Sequence, residues 1–150
     1  MTGRLSFPSK TSLVLRIWYW YVRVRLKMRG GNLVEVVNQL GAVRATHGYG
    51  LAPARLGRIV GRSLPLSLTG ATCLMKSLVL FRLLHWSGFD PELVVGLPAK
   101  PTNHDAHAWA EIEGIDVGPP PGGAGFMVLA RYRAGRPALA EHAGRSPVAY

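Results

Sequence analysis

The chain reads as an α+β protein, with helices first and a small antiparallel sheet later. Three observations predict this. Apolar residues recur at helical spacing through residues 11–64. A turn-like stretch, Leu68-Thr69-Gly70-Ala71-Thr72, then enters a strongly apolar helical run that opens at Cys73. From Leu93 onward, short alternating stretches separated by Gly and Pro have the period of strands.

The first helix is predicted over Thr11 to Lys27, where Ile17, Trp20, Tyr21, Val24 and Met28 form one stripe and Arg16, Arg23 and Lys27 lie off it. That stripe is expected to dock on the body of the same protein. The segment is interrupted by Arg16 and is shorter than the ~20 apolar residues needed to span a bilayer, so no transmembrane helix is expected. It lacks a small-residue cleavage site and is not read as a signal peptide. Gly30-Gly31-Asn32 breaks the helix, and Leu33, Val36, Val37 and Leu40, with Val43 or Arg44, mark a second. A third runs through Leu56, Ile59, Val60 and Leu64 and stops at Pro65.

The helix that begins at Cys73 is the most informative. Its first turn leaves N–H groups unpaired and carries a partial positive charge, and both features stabilise a thiolate. Cys73 is the one cysteine of the chain. Taken alone, a single free cysteine is more often a small buried hydrophobe. The strands follow: Leu93 to Leu97, then the alternating stretch His104 to Gly114, which begins with histidine, then a return through Asp116. Phe126 to Tyr132 is a candidate last strand, after the loop Pro120 to Gly125. A cysteine at a helix start with a histidine on a later strand is the minimum equipment of a thiol acyl-transfer enzyme.

The run from Thr72-Cys73-Leu74 through Leu84, then Gly88 to Leu97, then Ala106-His107-Ala108-Trp109-Ala110-Glu111 and Gly114, resembles the transglutaminase-like B2 proteins of lasso peptide biosynthesis. The resemblance spans roughly residues 56–118. It implies a papain-like cysteine leader peptidase that cuts a ribosomally made precursor between leader and core, with no cofactor. Carried over by position, Cys73 is the nucleophile and His107 the general base and acid. The chain then divides, within a single domain of residues 1–150, into a helical N-terminal region (1–66), a transglutaminase-like cysteine protease core (67–132) and a mobile tail (133–150). The resemblance also implies partners: the precursor peptide, a leader-binding recognition protein of the B1 type, and an ATP-dependent lasso cyclase that closes the ring. The helical first seventy residues lack the strands of a winged-helix recognition module, so that protein is expected to be separate.

The family's third member is an aspartate after the histidine strand, and here the chain departs from the pattern with Val117-Gly118-Pro119-Pro120-Pro121. The nearest acid is Asp116. If Glu113-Gly114 forms a two-residue hairpin, Ile112 faces Ile115 and Glu111 faces Asp116. Asp116 is then four positions along the strand from His107, about 13 Å at ~3.3 Å per residue. It is assigned as the orienting residue on the condition that a bulge or longer loop brings it closer. A Cys-His dyad assisted by Asp105, a backbone carbonyl or an amide stays open.

Trp109 and Glu111 share the face of His107 by alternation and either line a substrate groove or, for Trp109 the preferred reading, anchor the strand. His104, Asp105 and His107 have no further ligand cluster beside them, and no metal site is expected. His85, twelve residues beyond Cys73 on one helix, lies about 18 Å from it and is read as a C-terminal cap.

At 150 residues and 48% hydrophobic content, the chain can bury a real core. A lone cysteine excludes an internal disulfide framework and fits a reducing cytoplasm. The net charge of +10 suits an acidic partner, although a solvated basic surface explains it equally, and no specific nucleic acid is expected. Two rivals remain: a non-catalytic basic module that binds an anionic partner, and an amidase or acyltransferase using the same Cys73 and His107.

Overall fold

The computed structural model describes residues 7–43, 48–65, 70, 72–98, 106–119 and 125–140. Among the described residues four helices come first: α1 (Phe7–Met28), α2 (Leu33–Leu40), α3 (Pro53–Ser63) and α4 (Cys73–Trp86). Five strands follow: β1 (Glu92–Pro98), β2 (His107–Ile112), β3 (Ile115–Gly118), β4 (Phe126–Tyr132) and β5 (Leu139–Ala140). They form one sheet in the order β3-β2-β1-β4-β5, with every pairing antiparallel. The α+β order predicted from the sequence is the order observed.

α4 is the centre of the core. Every residue from Ser77 to His85 is buried, Ser77, Arg82 and His85 included, so this helix is covered on all sides. α1, α2 and α3 pack on it from one side and β1 and β2 from the other. α1 contributes Leu13, Ile17, Tyr21 and Val24, fully or nearly buried, with Trp20 and Met28 packed against the core. This is the predicted stripe, extended one turn at its start. Its outer side keeps Leu15, Trp18, Tyr19, Val22 and Leu26 exposed. Although α1 is 22 residues long, no described helix is long and apolar enough to cross a membrane.

Local chemistry sets the ends of the helices. Asn32 caps α2 by accepting the Glu35 N–H at 2.9 Å. The α2 pattern stops at Leu40, short of Val43, because Gly41 ends the helix and buried Arg82 of α4 takes over its open carbonyls. Arg82 donates to Leu40 O at 3.0 Å and Val43 O at 2.7 Å, and it lies over the rings of Trp20 and Trp86. α3 sets Leu56, Gly57 and Val60 inward. Gly57 meets the Val117 carbonyl so closely that a side chain there would collide with it, which seats α3 directly on β3.

The hairpin between β2 and β3 forms at Glu113 and Gly114, both at positive φ (52° and 79°), as a two-residue turn of that hand requires. Ile112 pairs with Ile115 and Glu111 with Asp116, as predicted. The register then shifts, and Ala110 pairs with Gly118. Residues 133–140 of the expected tail carry contacts: Arg133 pairs with Glu92, the Gly135 N–H donates to Asn38 at 2.8 Å, and β5 adds to β4. Residues 141–150 lie outside the described part.

Candidate functional site

Cys73 is the first residue of α4, directly after the capping residue Thr72. The hydroxyl of Thr72 accepts the Met75 N–H at 3.4 Å, which fixes the helix start. The Cys73 thiol is half-buried and faces the carbonyl of Ala106, Sγ to O 3.8 Å. Ala106 immediately precedes His107, the first residue of β2. One helical turn further, Ser77 is fully buried and donates its hydroxyl to the Ala108 carbonyl at 2.8 Å. α4 therefore runs beside the start of β2 and is tied to it at two successive points.

This edge of β2 is open to the helix because β3 is short. Its last residue, Gly118, pairs with Ala110, and Pro119, which has no N–H to extend a ladder, follows. A serine four residues after the cysteine, on a helix rich in Leu and Val, is the sequence signal for such a tie.

By strand alternation His107 lies on the face of β2 opposite Ala108 and Ala110, and the Cys73 thiol contacts the Ala106 carbonyl rather than its ring. Its ring stacks on Trp109 at 5.6 Å between centroids and 23° between planes, and Phe126 of β4 packs against it at 5.1 Å. Nε2 is buried and has no hydrogen-bond partner among the described residues. Burial pushes the imidazole below its ordinary value, and the negative charge of Asp116 opposes the shift in part. Burial therefore favours the uncharged, proton-accepting form of the ring.

Asp116 stays opposite Glu111, but its carboxylate leans along the strand, accepting the Gly118 N–H at 2.8 Å, and its charge reaches His107. The along-strand estimate of about 13 Å takes no account of this lean. His104 and Asp105 lie outside the described residues. Among the described residues no group of three or more His, Cys, Asp or Glu could hold a metal ion. His85, in the last turn of α4, is buried and tilted against Phe81, with Nε2 beside Gly41.

Trp109 is an anchor. It is 2% exposed, fills the face beneath His107, and donates Nε1–H to Glu111 at 2.7 Å. Glu111 in turn accepts from Arg131 at 2.5 Å, Arg131 also bonds Glu92 at 3.1 Å, and Arg133 completes the set on Glu92. Two carboxylates and two guanidiniums thus brace the tryptophan that supports the histidine. Glu92 lies some forty residues from Arg131 and Arg133 in sequence, and the β1/β4 pairing brings them together. Gly96, opposite His107 in β1, leaves room for the tryptophan: a Cβ there would meet its ring at 3.0 Å and the Met127 carbonyl at 2.7 Å. Glycine inside a strand is the sequence signal of such a close approach.

A family model described as the transglutaminase-like superfamily matches residues 17–131, from the buried stripe of α1 to β4. The chain belongs to the transglutaminase-like superfamily. Comparison with curated proteins and with solved structures gave no match. Transglutaminase-like proteins are generally cysteine-dependent enzymes, and membership supports cysteine hydrolase or acyltransferase chemistry on this scaffold. The match extends well beyond residues 56–118, so α1 and α2 are part of the transglutaminase-like unit.

Proposed function

We propose that this protein is a leader peptidase of lasso peptide biosynthesis, cleaving a precursor peptide by a Cys-His thiol mechanism. The observation that carries it is the contact between the Cys73 thiol at the α4 N-terminus and the carbonyl of Ala106, the neighbour of His107, in a chain with one cysteine. In this mechanism the Cys73 thiol, whose contact is with the Ala106 carbonyl and not with the imidazole, passes its proton to His107 through a bridging water, and the sulfur attacks the scissile carbonyl. The N–H groups of Cys73 and Leu74, which precede the Met75 N–H held by Thr72, are suited to hold the developing oxyanion. His107 returns the proton to the departing amine, which becomes the N-terminus of the core peptide. Water, deprotonated by His107, then hydrolyses the thioester and restores the thiol. Asp116 acts on His107 by charge, keeping its basicity from falling further.

A separate leader-binding protein delivers the precursor. The exposed row Leu15, Trp18, Tyr19, Val22 and Leu26 on α1 is the face best suited to receive it. The reaction takes place in the cytoplasm, and the released amine passes to an ATP-dependent cyclase. Mass spectrometry of a precursor peptide incubated with the protein and its leader-binding partner tests the assignment. Leader release by wild type, and by neither Cys73→Ala nor His107→Ala, is expected. A transferred acyl group in place of a free acid would identify an acyltransferase, and an intact, bound precursor would end the peptidase assignment.

A further inference from the structure

Away from Cys73, α1 and α3 enclose a groove of about 410 Å³. Four cationic side chains border it: Lys10 from α1, and Arg55, Arg58 and Arg62 from α3. The three arginines follow the i, i+3, i+7 spacing that places them on one side of a helix, and Leu56, Gly57 and Val60 occupy the buried side. The floor is apolar, made by Leu13, Val14 and Ile59. Among the described residues no Asp or Glu lines the groove, and neither helix contains one.

Four like charges around one depression repel one another, and an anion placed among them removes that repulsion. The floor distinguishes between anions. A nucleic acid backbone has no aliphatic group to lay on Leu13 and Ile59, whereas a peptide offers carboxylates and aliphatic side chains within one short segment. From Arg55 to Arg62 the helix rises about 10 Å at ~1.5 Å per residue, the length of about three extended residues at ~3.3 Å each. Alternate residues of such a segment point to opposite sides, so an acid-apolar-acid pattern meets both the rim and the floor.

We propose that the α1–α3 groove binds an acidic peptide segment of a partner protein, with its carboxylates on Lys10, Arg58 and Arg62 and an aliphatic side chain on the floor. The site is separate from Cys73 and requires no chemistry there. A fluorescein-labelled peptide of about twelve alternating Glu and Leu residues is the probe, with fluorescence anisotropy as the readout. Wild type binds it, added salt weakens the binding, and Arg58→Gln/Arg62→Gln weakens it by about tenfold or more.

Arg58 and Arg62 are exposed, so the variant keeps its fold. Arg25→Gln/Arg29→Gln removes the same charge from exposed positions of α1 and its following turn, outside the groove, and binds as wild type does. Equal weakening by both pairs would reduce the effect to net charge and overturn the proposal. So would absence of binding, or tighter binding of a single-stranded oligonucleotide of equal charge that depends on Arg58 and Arg62.

Discussion

The buried hydroxyl of Ser77 donates to the carbonyl of Ala108 at 2.8 Å and fixes the height of α4 against β2. Cys73 lies one turn above Ser77 and Ala106 two residues before Ala108, so this bond sets where the thiol meets the start of the histidine strand. Ser77→Ala leaves the Ala108 carbonyl buried and unpaired and is expected to cost about 1–3 kcal/mol. Urea denaturation measures the loss. Peptide cleavage by the folded variant should also fall, since α4 is then free to slide along β2.

At Gly96, an added methyl group meets the Met127 carbonyl at 2.7 Å and the Trp109 ring at 3.0 Å. A carbonyl in a sheet ladder cannot yield cheaply, so the tryptophan must move. Gly96→Ala is expected to destabilise the protein by about 1–3 kcal/mol. It should also shift the ring resonances of His107, which stacks on that tryptophan; unchanged resonances would show that the strands part instead.

Asp116 raises the basicity of His107 against the larger, opposite effect of burial. Removing its charge in Asp116→Asn should therefore move the His107 titration, followed by NMR, to lower pH. The acid limb of cleavage should move with it if neutral His107 is the base. Because burial leaves the folded value below the ordinary one, the unfolded chain takes up the proton first as pH falls. Stability linked to His107 is thus complete above pH ~6.5 and declines as pH drops through the folded value. A titration of Asp116→Asn that coincides with wild type would remove Asp116 from the site.

Glu111→Ala takes the partner from the Trp109 N–H and one of two carboxylates from Arg131. Arg131 keeps Glu92, and its side chain is partly exposed, so the cost should fall below the ~3–5 kcal/mol of a wholly orphaned buried charge; about 2 kcal/mol is expected by thermal or chemical denaturation. Glu111→Gln, which retains an acceptor for Trp109, should cost less. Equal losses in the two variants would place the stabilisation in the ion pair alone.

What the sequence determined by itself is what short-range periodicity encodes. The inward stripe of α1, the break at Gly30-Gly31-Asn32, the start of a helix at Cys73 and the Glu113-Gly114 turn each depend on neighbours within a few positions, and each is where the pattern puts it. From that turn the first two cross-strand pairs also follow. The tertiary structure alone decided the rest. The shift that pairs Ala110 with Gly118, the seating of α4 by Ser77, the capping of α2 by Arg82 and the bracing of Trp109 through Glu111, Arg131 and Glu92 join residues far apart in the chain. A residue's pattern specifies which side of its element is apolar, but not which distant carbonyl or carboxylate will lie within 3 Å of it. That depends on how closely packed elements settle against one another, and here Gly57 and Gly96 mark the places where they come closest.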